Sequence, residues 1–150
     1  MTKVILQVYP TVGDTTEMAR RRPIGRDSDA YHNMLASLVE LVQAADSLGY
    51  WGITHVEHHA HSEGLEISPD PLLLNVYLGH FNTDNLGSLC LHTIQCDWRR
   101  NAIADHILKG RLFVGMARGY QARWTNVIGQ RFGVTSAASH KSAADQPSPS

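Results

Sequence analysis

The chain has little of what would mark it as a specialised class of protein. Its two cysteines, Cys90 and Cys96, fit neither a disulfide framework nor a zinc pattern, which makes a reducing cytoplasm the default setting. Charge of either sign is not in excess. With 13 basic and 14 acidic residues the net charge is -1, so composition makes no electrostatic case for nucleic acid or an anionic membrane surface. The one basic run, Arg20-Arg21-Arg22, is short and isolated and reads as a solvated loop. No apolar stretch approaches the roughly 20 residues that a membrane helix needs. The brief apolar run at residues 4–9 lacks a small-residue cleavage site after it and reads as a first strand rather than a signal peptide. What remains is a globular composition, 43% hydrophobic and 18% charged, long enough for one domain with a sizeable core.

Element signals then alternate along the chain. After the strand at residues 4–9 comes a polar loop containing Gly13 and Gly25. Asp27, Ser28 and Asp29 offer N-caps for a helix whose apolar positions, from Met34 through Leu38 and Val42 to Ala45, recur at helical spacing until Gly49 stops it. A second strand is expected at residues 52–56. Asp70-Pro71 then caps a second helix through Leu78. A third strand is expected at 86–91, a third helix at 98–108 ending in Gly110, and a fourth strand at 112–115. Repeated βα units of this length predict a parallel sheet with outer helices. From Thr135 the chain has no apolar period, so residues 1–134 are expected to fold and 135–150 to form a disordered tail.

Four of the nine histidines fall between His55 and His61, at the end of Gly49-Tyr-Trp-Gly-Ile-Thr-His-Val-Glu-His-His-Ala-His61. Gly, aromatic and β-branched residues suit a strand, and imidazoles beside a carboxylate act on protons, metals or cofactors. Chemistry at the C-terminal end of a strand is where α/β enzymes place it. If the extended geometry continues, His55, Glu57, His59 and His61 project one way and His58 the other. Glu57 could fix the tautomer of one imidazole for acid or base work. Two alternatives stay open: a polar loop of solvated histidines, and a metal site, against which stands the inability of one strand end to wrap three imidazoles around an ion.

A second constellation is Gly110-Arg-Leu-Phe-Val-Gly-Met-Ala-Arg-Gly-Tyr120. Gly115 and Gly119 would let backbone approach a flat ligand, and Arg118 offers fixed positive charge to an anionic one. The alternative is a tight turn carrying a surface arginine. Tyr120 and Trp124 either line a pocket mouth or pack.

Together these segments resemble the N-terminal half of the bacterial luciferase-like flavin-dependent monooxygenases, a (β/α)8-barrel family using reduced FMN or a related deazaflavin. The resemblance is carried by Leu38-Val-Glu-Leu-Val-Gln-Ala-Ala-Asp-Ser-Leu-Gly-Tyr50, by Trp51 to His61 with its Glu-His-His, by Ser68-Pro-Asp-Pro-Leu-Leu-Leu-Asn75, and by Asp105 to Trp124 with Gly-Arg and Ala-Arg-Gly-Tyr. It implies a partial barrel of about four strands and oxygen insertion into an organic substrate, with flavin reduced by a separate reductase. It also implies that His58 works beside the flavin with Glu57 and His59 as neighbours. Arg118 falls at the flavin site between Ala117 and Gly119, and Ala117 stands where some members carry a reactive cysteine.

Two departures shape the expectations. His92-Thr-Ile-Gln-Cys-Asp-Trp-Arg-Arg-Asn101 replaces a family segment of the type His-His-Pro-x-Arg-x-Ala-Glu. One set of synonymous codons for it, read two bases later, spells His-His-Pro-Met-Arg-Leu-Ala-Lys-Glu, which identifies an out-of-frame reading of the family motif. The third helix should therefore be poorly formed or displaced before about Asn101, and residues 79–91 look shortened and scrambled. The chain also lacks the later strands and their phosphate-binding loops. A truncated, catalytically impaired form is expected, one that binds FMN weakly and associates or aggregates through open sheet edges. The rival readings are a non-catalytic half-barrel subunit and a metal-dependent hydrolase built on His55 to His61.

Overall fold

A computed structural model describes residues 2–59, 61–90 and 98–116. Four strands, β1 (Ile5–Val8), β2 (Gly52–Val56), β3 (Asn85–Cys90) and β4 (Leu112–Met116), form one parallel sheet in the order β1-β2-β3-β4. This is an α/β fold whose strands succeed one another in space as they do in the chain, as four consecutive strands of a (β/α)8 barrel do. The second strand lies where the sequence places it. The others differ by one or two residues at their ends.

The register explains the layers. Leu6 pairs with Ile53, Ile53 with Leu86, and Leu86 with Leu112, so one aliphatic row crosses all four strands. That row faces the helices. Ile53 and Leu86 are fully buried in a core shared with Leu38 and Val42 of α2 (Ser28–Ser47), Leu78 of α3 (Pro71–Leu78) and Leu108, just beyond α4 (Trp98–Ile107). Each such side chain contributes about 1.5–3 kcal/mol relative to exposure. The opposite face carries the row Gln7, Thr54, Gly87 and Phe113. There the Phe113 ring lies 5.4 Å from that of Trp51, and the Thr54 hydroxyl donates to the Gly87 carbonyl.

The helix ends follow local chemistry. Asp27 caps α2 by accepting from the Ala30 amide, and Asp70 caps α3 by accepting from the Leu73 amide ahead of Pro71. Gly49 and Gly110 turn the chain out of α2 and α4 with φ of 75° and 78°. The loop expected around Gly13 instead contains α1 (Thr15–Arg20) and a short 3-10 helix, Ile24–Arg26. α1 buries none of its residues, so apolar periodicity could not reveal it. Its signal is the capping box, in which Asp14 accepts from the Thr16 and Glu17 amides while the Glu17 carboxylate accepts from the Asp14 amide.

The third predicted helix, α4, corrects an expectation. It is formed from Trp98 onward rather than displaced before Asn101, and Arg100 in its first turn pairs with Asp70 at the start of α3. Burial and polarity nevertheless disagree along it: Trp98 is 71% and Ile103 63% exposed, while Ala104 is buried. The scrambled-looking stretch from residue 79 is pinned at both sides. Arg111 donates to the carbonyls of Gly79, Asn82 and Asp84, and Asp46 accepts from the Thr83 amide and hydroxyl. The boundary drawn at residue 134 and the tail after it lie outside the described residues.

Among the described residues, β1 and β4 each pair on one side only. Val4, Ile5 and Tyr9 at one edge and Val114 and Met116 at the other are exposed. No helix among the described residues is long and apolar enough to cross a membrane.

His55 yields a stability test. It occupies the helix-facing side of β2 with no solvent exposure, its Nδ1 2.8 Å from Asn75 Oδ1. Burial pushes its pKa from 6.5 down to about 4, against the smaller upward pull of the Asn75 bond. Between pH 6.5 and 4 the unfolded chain takes up a proton that the native state refuses. The associated stability is present above pH 6.5 and lost as pH falls through that window. A slope approaching about 1.4 kcal/mol per pH unit is expected in urea unfolding of the wild type. His55→Gln should be less stable at pH 7 and lack this component of the slope.

Candidate functional site

Strand pairing of β2 ends at Val56, and the histidine cluster lies beyond the C-terminal end of the sheet as the sequence requires. The alternation of side chains does not continue there. The His58 amide donates to the Ser68 carbonyl, so the backbone that leaves β2 pairs with a loop, residues 61–68, folding back over it. That loop is fastened to the segment after β1. Val12 donates to the Gly64 carbonyl, Ile67 to the Pro10 carbonyl, and Gly25 to the Ser62 carbonyl. Gly64 has a φ of 108°, and a Cβ there would sit 2.7 Å from the Val12 carbonyl oxygen, so no other residue fits this approach.

The fold-back sorts the histidines into three environments. His55 belongs to the helix layer with Asn75 and does not join the site. Glu57, 3% exposed, places its carboxylate 2.7 Å from His59 Nε2, which realises the expected pairing of Glu57 with an imidazole. His58 and His61, expected on opposite sides, come together. Both are buried, and their rings stack with centroids 5.1 Å apart at 24°. His58 Nδ1 lies 2.7 Å from Glu66 Oε2, and His61 Nδ1 lies 2.8 Å from the Leu65 carbonyl oxygen.

This geometry selects tautomers. A carbonyl oxygen only accepts, so neutral His61 carries its proton on Nδ1 and presents the lone pair of Nε2. The Glu66 carboxylate, 2.7 Å from His58 Nδ1, offers negative charge that stabilises an imidazolium there. Such an imidazole, screened from water and backed by a carboxylate, is equipped to move one proton at a fixed atom. Beside Glu57 opens a cavity of about 220 Å³ lined by Pro69, Asp70, Pro71, Leu72, Arg100 and Asn101.

Glu66 and Asn75 are absent from the sequence expectations. Asn75 left a trace, as one amide inside the apolar helix Leu72-Leu-Leu-Asn-Val-Tyr-Leu78, where a buried polar group needs a partner. Glu66 left none, since its contact depends on a tertiary fold-back; its φ of 53°, uncommon for a residue with a side chain, marks it only in the structure. Ala117, Arg118 and Gly119, together with Tyr120 and Trp124, lie outside the described residues.

No family model matches the chain, and no curated protein matches it in sequence. Solved structures do share its fold. One is the monooxygenase RslO1 from Streptomyces bottropensis, 22% identical with a TM-score of 0.66, over 87% of this chain and 37% of that one. Another is the oxygenating constituent of 3,6-diketocamphane monooxygenase from the CAM plasmid of Pseudomonas putida. This type II Baeyer-Villiger monooxygenase, in complex with FMN, is 19% identical with a TM-score of 0.67, over 91% of this chain and 35% of that one. The chain thus spans little more than a third of the length of either structure. At these identities the likeness is one of fold.

The tautomer assignment is directly measurable. Nitrogen-15 NMR of the neutral protein should find the His61 proton on Nδ1, as its bond to the Leu65 carbonyl requires. A neutral His61 protonated on Nε2 would contradict the arrangement.

Proposed function

We propose that this chain is the β1–β4 portion of a luciferase-like flavin-dependent monooxygenase, an oxidoreductase that incorporates molecular oxygen into an organic substrate using reduced FMN or a related deazaflavin. The observation that carries this reading is His58, buried against Glu66 at the C-terminal end of β2, in a sheet whose fold is shared with two monooxygenases. The donor set fits the proton-handling side of a flavin: one oriented imidazole, a carboxylate behind it, and the Glu57–His59 pair beside it. The flavin, when bound, supplies the electrons that activate oxygen. His58 is the acid and base, Glu66 backs it with negative charge, and Glu57 with His59 shapes the adjoining wall. Arg118 supplies positive charge near the flavin, Ala117 offers no thiol, and Gly119 permits close backbone approach. A reductase supplies reduced flavin, and the setting is the reducing cytoplasm.

The open edges support a second reading alongside this one. Exposed Val4, Ile5, Tyr9, Val114 and Met116 favour association with a further copy or with another subunit, so that the half-barrel is a non-catalytic component by itself. Size measurement in solution separates an assembly from a monomer.

The test of the flavin reading is equilibrium titration of the 150-residue chain with oxidised and reduced FMN. Lacking two charge-assisted hydrogen bonds of about 1.5–3 kcal/mol each weakens binding about 100-fold or more, so a site of about 1 μM becomes one of about 100 μM. Weak, saturable binding diminished by Arg118→Ala and altered by His58→Ala is the expected result, with no monooxygenase turnover. Micromolar binding lost in those variants would show that this portion suffices unaided. Binding unaffected by either substitution would overturn the assignment of the site.

A further inference from the structure

We infer that His58, His61 and Glu66 form a binding site for a divalent transition-metal ion, independent of the flavin reading and of any second half of a barrel. Each residue offers one donor atom, and these atoms all lie within 4.8 Å of one another. Two imidazole nitrogens and one carboxylate oxygen form the donor set that zinc and ferrous sites use when a coordination position stays open to water.

Three features set this trio apart from histidines that merely lie near an acid. Both imidazoles are buried, at 6% and 5% exposure, so neither has to be drawn from solvent to reach an ion. The loop that carries His61 and Glu66 is held by backbone hydrogen bonds from Val12, Gly25 and Ile67, so the donors are positioned before an ion arrives. His58 Nδ1 and Glu66 Oε2 already lie 2.7 Å apart in the metal-free protein. A cation bonded to both atoms at about 2.0–2.2 Å holds them roughly 3.0–3.4 Å apart, so the two donors separate by under about 1 Å when it binds. One strand end does not wrap three imidazoles around an ion here either; the third donor is the Glu66 carboxylate, which the chain brings back after leaving the strand at Val56.

The experiment titrates Zn²⁺ into the flavin-free, metal-free chain in competition with a chromophoric chelator. One equivalent should bind. His61→Ala and Glu66→Gln should each weaken binding at least about tenfold. His80→Ala, an exposed histidine on the other side of α3's C-terminal turn, should leave it unchanged. Far-UV circular dichroism of each metal-free variant checks folding. X-ray absorption of the zinc-loaded wild type, which depends on no variant, should show two imidazoles and an oxygen shell at about 2.0–2.1 Å. Absence of stoichiometric binding, affinity unaltered in the folded His61 and Glu66 variants, or a shell without two imidazoles would overturn the site. None of those outcomes bears on FMN binding, which is measured with chelator present.

Discussion

The site depends on a backbone constraint more than on any side-chain pair. Residues 61–68 fold back over the end of β2 because their amides and carbonyls are matched to partners after β1, Gly64 with Val12, Ile67 with Pro10 and Ser62 with Gly25, and after β2, Ser68 with His58. Each bond contributes only about 0.5–1.5 kcal/mol net. Their joint effect is to remove the conformational freedom of a loop that carries His61 and Glu66, the two groups set against His58. Without it, His61 and Glu66 would be solvated residues on a mobile connection, and the cluster would be the polar loop that composition also allows.

The same constraint explains what could be read from the sequence. Sheet order, the helices after the first and second strands, their caps and the position of the histidines at a strand end are local or periodic properties. Asp27, Asp70, Gly49 and the apolar stripe of α2 announce them. The face of each histidine was not legible. Period-2 alternation holds only while the strand pairs, and pairing stops at Val56. Alternation therefore grouped His55 with Glu57, His59 and His61, whereas the fold sends His55 to Asn75 and brings His58 to His61. Glu66 was hidden for the same reason, since nothing local distinguishes it from Glu63.

His55 and His58 show how one stretch of chain gives two imidazoles different work. His55 faces an amide in a fully enclosed layer, and desolvation holds it neutral across the physiological range. Its role ends with satisfying Asn75. His58 faces a carboxylate at the rim, where a positive imidazole or a cation is compensated by charge. The partner, rather than the histidine, decides which ring is structural and which is available for chemistry. An amide at position 66 would turn the second kind into the first.

The layer that stabilises the fold and the layer that would enclose a substrate are different faces of the sheet. The aliphatic row Leu6, Ile53, Leu86 and Leu112 is covered by the chain's own helices, which accounts for a complete core within the described residues. On the opposite row, Gln7, Thr54, Gly87 and Phe113, the Phe113 ring packs against Trp51, which precedes β2. In a closed barrel the far strands cover this face and exclude water from the rim. Among the described residues the contacts around His58 come from the segments that follow β1 and β2, whereas enclosure needs more surface than these strands supply. The interactions that build the site are for that reason separable from those that would close it.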